Sequence, residues 1–169
     1  MTPQAFRRQN RLFIAIASVI ILAIAVLHGL NRLPLNLDSR GSLSVMPSGW
    51  HQFVAIAALI LPIAVWVVQR HNPAIRLVLS GYLMVLLAQI ITELVLLQRF
   101  SRGMSVIIGT VYSAFRLVQL WQGQQIIALA KLNQALWIRV VLWMLFFIWS
   151  VNLIQFLVFR WPIMLNATS

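Results

Sequence analysis

Five apolar runs follow one another with only short polar links between them, at residues 12–30, 50–68, 75–97, 104–121 and 135–159. A helix rises about 1.5 Å per residue, so about 20 residues match a hydrocarbon core roughly 30 Å thick. Of the 169 residues, 62% are hydrophobic and 9% charged, where soluble domains carry roughly a quarter charged. Such a composition cannot clothe itself in a polar skin, so its outer surface must face lipid or another protein. The expected fold is an all-α, polytopic integral membrane helical bundle, a single membrane domain over residues 1–169. It has five transmembrane helices, or four if residues 104–121 are re-entrant or lie flat.

Local features punctuate these runs. Residues 1–10 read as a short polar tail carrying Arg7 and Arg8, with Arg11 at the membrane edge. The basic flank and apolar core are like those of a signal peptide, but the core is too long for one, so the run reads as a retained first span. Residues 31–49 hold Pro34, Pro47 and Asp38 among Gly, Asn and Ser, and form the longest polar connection. Pro62 inside the second run predicts a kink, tolerable where a neighbouring helix reorganises the freed carbonyl. Residues 69–73 predict a tight connection. The fourth run is the least apolar, and the polar-apolar mixture at residues 121–134 predicts an amphipathic continuation of its helix along the interface.

Lys and Arg number 13 against two acids, Asp38 and Glu93, for a formal charge of +11. The basic residues stand singly or in pairs at the ends of apolar runs, where they anchor to phosphate headgroups. Membrane lipids are therefore expected partners. Nucleic acid is not, because no folded soluble module carries a basic stripe. With the amino terminus on the cytoplasmic side, Arg7, Arg8, Arg11, Arg70, Arg76, Lys131 and Arg139 fall inside, and Arg32, Arg40, Arg99, Arg102 and Arg160 outside. This bias favours that orientation. The absence of cysteine excludes disulfides, thiolate metal sites and cysteine nucleophiles.

Two ions lie inside the apolar runs, Glu93 in the third and Arg116 in the fourth, flanking a predicted turn at residues 98–103. An ion in hydrocarbon is costly, so it marks a partner or a function. Residues three and four apart share a helix face, which aligns Tyr82, Gln89 and Glu93 on one helix and Gly109, Tyr112, Arg116 and Gln119 on the other. The candidate site is this intramembrane polar seam of Gln89, Glu93, Tyr112, Arg116 and Gln119, with Gly109 permitting close approach. Folding the hairpin about Ser101 staggers Glu93 and Arg116 by seven residues, roughly 10 Å along the axis. A direct ion pair does not follow from that register.

His28 and His51 end one run and begin the next, so they share a membrane face and are candidate ligands for a haem iron or a chlorophyll magnesium. The tryptophans of the last run, Trp137, Trp143, Trp149 and Trp161, read as interfacial anchors and packing. No Ser-His-acid set, carboxylate pair, phosphate loop or HExxH pattern is present, so no enzyme is expected. The expected role is a non-catalytic accessory or assembly subunit with a membrane-protein partner or a second copy of itself. The alternatives are a small transporter or channel using Glu93 and Arg116, and a haem- or pigment-binding protein using His28 and His51.

Overall fold

The computed structural model describes residues 2–30, 32, 48–99, 104–130 and 135–166. They form α1 (Pro3–Gly29), α2 (Ser48–Val68), α3 (Pro73–Arg99), α4 (Met104–Leu129) and α5 (Ala135–Gln155), and α5 runs through a π-helical turn, Phe156–Arg160, into the short α6 (Trp161–Asn166). No strand occurs among the described residues. Four helices are long and apolar enough to cross a membrane: α1, α3, α4 and the continuous rod from α5 into α6. α2 carries a shorter apolar stretch, Ile56–Val68, among the described residues. These features fit an integral, multi-pass membrane protein.

The helix ends follow local chemistry. The Thr2 hydroxyl accepts a hydrogen bond from the Ala5 amide at 3.2 Å, and Pro3 occupies the first helical turn. That pairing is a strong amino-terminal cap. Residues 3–10 are therefore helical rather than a polar tail, and α1 begins well before its apolar run. Phe6 and Asn10, one turn apart, are buried against the bundle. Asn72 caps α3 in the same manner: its Oδ1 accepts from the amides of Ala74 at 3.1 Å and Ile75 at 3.4 Å, with Pro73 next in sequence. The Asn72 amide in turn donates to the Gln69 carbonyl at 3.0 Å, closing the tight α2–α3 connection that the sequence predicts.

α4 lies at the centre. It packs most extensively against α5 and α3, while α1 lies across α3 and α4 and α2 across α3 and α5. In α4, 56% of the apolar window is buried, against 17% in α1. The least apolar helix is thus the most enclosed, because its polar groups find partners in protein and none in lipid. Its predicted continuation is helical as far as Leu129, with Gly123, Gln124, Ile126 and Ile127 buried.

The apolar interior divides into two clusters. One joins Phe6, Val65, Ile75, Val78, Leu120, Ile127 and Leu142 at the end where α1 begins. The other joins Ala17, Ile21, Val85, Met104, Ile108 and Met164 toward the opposite end. Close helix approach depends on glycines. At Gly81, an added Cβ would meet Asn10 Nδ2 at 2.5 Å and Phe6 Cε1 at 2.8 Å, so the bare backbone is what admits the first turns of α1. Gly109 receives the ring of Phe156 from the π-helical turn. Replacing Gly81 by Val should overpack the α1–α3 contact at a cost of about 2 kcal/mol. The expected result is a lower melting temperature in detergent, whereas Gly49→Ala, whose Cβ meets nothing within 4 Å, leaves it unchanged.

Candidate functional site

Polar side chains gather around Arg116 beside aromatic members of both apolar clusters, Tyr82 and Trp149 of one and Tyr112 of the other. Tyr112, Ser113, Arg116 and Gln119 occupy one buried face of α4, as their spacing requires. Arg116 has no exposed surface. Its guanidinium carbon sits 3.8 Å from the centroid of the Trp149 ring and 5.6 Å from that of Tyr82. A planar, weakly hydrated guanidinium suits such stacking, which contributes about 2 kcal/mol in a desolvated setting. None of its three nitrogens has a hydrogen-bond acceptor among the described residues.

The rings are fixed by a relay across three helices. Trp149 Nε1 on α5 donates to the Tyr82 hydroxyl on α3 at 2.9 Å, and that hydroxyl donates to the Ala58 carbonyl on α2 at 2.9 Å. Ala58 stands four residues before Pro62, which has no N–H to offer that carbonyl. The tyrosine therefore supplies the donor that the proline withholds. The Trp–Tyr–carbonyl chain holds the aromatic floor beneath the guanidinium.

Other cross-helix bonds converge on α4. Gln119 Nε2 donates to Asn10 Oδ1 on α1 at 3.0 Å, and Asn152 Nδ2 on α5 donates to Ser113 Oγ at 3.3 Å. Trp161 Nε1 donates to Thr110 Oγ1 at 2.9 Å. Tyr112 stands edge-on to Phe13 of α1, with centroids 5.5 Å apart, and its hydroxyl lies 3.4 Å from Thr92 Oγ1 on α3. Phe13 also stacks on Phe115.

The five predicted seam residues lie along the α3–α4 interface, but they do not form one contact set. Tyr112, Arg116 and Gln119 are buried side by side along α4, and Gln89 faces inward from α3. Glu93 is partly exposed, its carboxyl lies close to the Gln89 side chain, and among the described residues no hydrogen bond joins it to Arg116. Carboxylate and guanidinium interact through space, and the guanidinium sets its face against aromatic rings. Residues 100–103 of the turn lie outside the described residues, as does Asp38.

Three functional neighbours escape the sequence-level site. Tyr82 falls on the predicted stripe without its role being apparent. Trp149 reads as an anchor, although its mid-span position departs from the usual interfacial place of tryptophan. Asn10 falls in the segment read as a tail; the Thr2-Pro3 cap was the signal that the helix starts earlier. His28 is partly buried near the end of α1, and the His51 side chain lies outside those described. No cluster of three or more metal-ligating side chains occurs among the described residues.

Two outcomes test this arrangement. Tyr82→Phe leaves the Ala58 carbonyl and the Trp149 indole unpaired and should cost about 1–2 kcal/mol. In a Pro62→Ala background, where residue 62 regains an N–H, the same substitution should cost measurably less in a thermal-unfolding double-mutant cycle. Arg116→Met keeps the stem volume and removes a buried charge that has no hydrogen-bond partner among the described residues, so the variant should melt at or above the wild-type temperature. Comparison with protein-family models, curated proteins and solved structures finds no match for this chain.

Proposed function

We propose that the protein is a non-catalytic accessory or assembly subunit that docks in the bilayer onto a larger membrane complex, with its amino terminus on the cytoplasmic side. The observation that carries this reading is a set of buried polar side chains that bond from helix to helix. Tyr82, Trp149, Ser113, Gln119 and Asn10 all bond across helices, and all are at most 4% exposed. Such groups set helix register and leave recognition to the outer faces. α1 offers the most open of these faces, with Leu12, Ile16, Val19, Leu22 and Val26 exposed. Small residues on its inner side, Ala17 and Ala25, hold it to the bundle.

The reading is tested by solubilising the protein in mild detergent and placing a photo-crosslinking residue at Val19 in turn with one at Ile56 on α2. The expected result is co-purification at fixed stoichiometry and a discrete protein adduct from Val19. Recovery as a free monomer, with lipid adducts alone from both positions, overturns the proposal.

A second reading, a small transporter or channel, is favoured by one observation. Among the described residues the Arg116 nitrogens lack acceptors, while Gln119 Oε1 and Gln89 Oε1 lack donors. Unmatched donors and acceptors inside a bundle are the kind of groups that line a proton or ion path. On this reading, Glu93→Gln alters flux or its pH dependence in proteoliposomes, and an unchanged flux removes Glu93 from the mechanism.

A further inference from the structure

The end of the bundle where α1 begins holds a concentration of positive charge that the buried polar groups do not use. Arg7 and Arg11 of α1 and Arg76 of α3 converge on a cavity of about 220 Å³ between the two helices, which Asn10, Ser80 and Met84 also line. No acidic side chain borders it among the described residues. Glu93 stands 17 residues beyond Arg76 on the same helix, about 25 Å away along its axis. Arg7 and Arg11 also border a shallower hollow together with Arg8, which adds to the local field.

Two neutral donors are prepared inside the same cavity. Asn10 is 1% exposed, and Gln119 holds its Oδ1, which leaves Nδ2 as a buried donor with no partner among the described residues. Ser80 Oγ accepts from Trp66 Nε1 at 2.9 Å, an arrangement that fixes the hydroxyl and keeps its own proton free to donate. Three guanidinium groups with an amide and a hydroxyl donor form a recognition set for phosphate oxygens.

An apolar groove of about 430 Å³ opens beside this cavity between α2 and α3, lined by Ile63, Trp66, Val67, Leu83 and Leu87. The two share Ser80 and Met84. Along α3 the order is Arg76, Ser80, Met84, Leu87: cation, hydroxyl, thioether, hydrocarbon. The sequence covers about 16 Å at the helical rise and matches a lipid read from phosphate into acyl chain. The indole of Trp66 sits at the junction, the level that amphipathic rings prefer.

We propose that this composite cavity is a binding site for one anionic glycerophospholipid. Its phosphate is held by Arg7, Arg11 and Arg76 with Asn10 and Ser80, and one acyl chain lies in the α2–α3 groove. Charge decides the headgroup class. Three cations with no facing carboxylate favour a lipid of net negative charge over a zwitterionic one, whose own cation they repel.

The test uses the full chain, delipidated in an uncharged detergent and titrated with phosphatidylglycerol, phosphatidylcholine or inorganic phosphate. Lipid bound per chain is read by native mass spectrometry and by the ligand-dependent rise in melting temperature. The wild type should bind phosphatidylglycerol at one site in preference to phosphatidylcholine, and inorganic phosphate far more weakly. Arg11→Gln with Arg76→Gln should weaken the phosphatidylglycerol complex by about thirtyfold, as two interfacial cations do. Arg70→Gln with Arg139→Gln removes two exposed charges that line neither the cavity nor the hollow beside it and should change it by about twofold or less, since exposed charges at that distance are screened. Equal losses in both double variants overturn the site in favour of diffuse surface charge. Equal binding of the two lipids by the wild type overturns the headgroup assignment. Binding of inorganic phosphate as tight as that of the lipid overturns the acyl groove.

Discussion

A guanidinium closed inside an apolar bundle is the constraint that the rest of this fold must satisfy. A charge of this type at the centre of a membrane helix costs about 3 kcal/mol on insertion scales and more on an isolated helix. Stacking on Trp149 and the nearby Tyr82 offsets a large part of that. The geometry thus relies on aromatic faces where a carboxylate would have been the obvious partner. Because stacking depends on ring placement, the ring positions are themselves held by bonds, and the chain from Trp149 through Tyr82 to Ala58 reaches three helices.

The same logic explains why the helices occupy the positions they do. α4 carries the hydroxyls, amides and arginine that lipid would not tolerate, so it takes the centre; α1, apolar over most of its length, takes the edge. Pro62 shows how one local defect is absorbed. The carbonyl it leaves without a donor is met by Tyr82, so a weakness in α2 becomes an anchor for the ring that flanks Arg116.

The two ends of the bundle differ in chemistry. Arg7, Arg11 and Arg76 gather where α1 starts, and the capped first turns of α1 build one wall of the cavity they line. Asn10 connects that cavity to the buried polar groups, because the amide bonded to Gln119 also lines the arginine cluster. One short segment thereby serves both the interior and the membrane face, through a helical extension that Gly81 admits.

The sequence by itself determined the class and the helices. Uninterrupted apolar runs of spanning length leave an all-α bundle as the expected outcome, and the three- and four-residue spacing of Tyr112, Arg116 and Gln119 places them on one buried face. Tertiary structure alone decided which groups meet. That Trp149 lies beneath Arg116, that Asn10 reaches Gln119 across 109 residues of chain, and that Tyr82 answers the carbonyl freed by Pro62 depend on how helices remote in sequence pack. Periodicity gives the face of each helix; the partner of that face is set by packing across the bundle, where stacking and hydrogen bonding select among many apolar surfaces of nearly equal affinity for lipid.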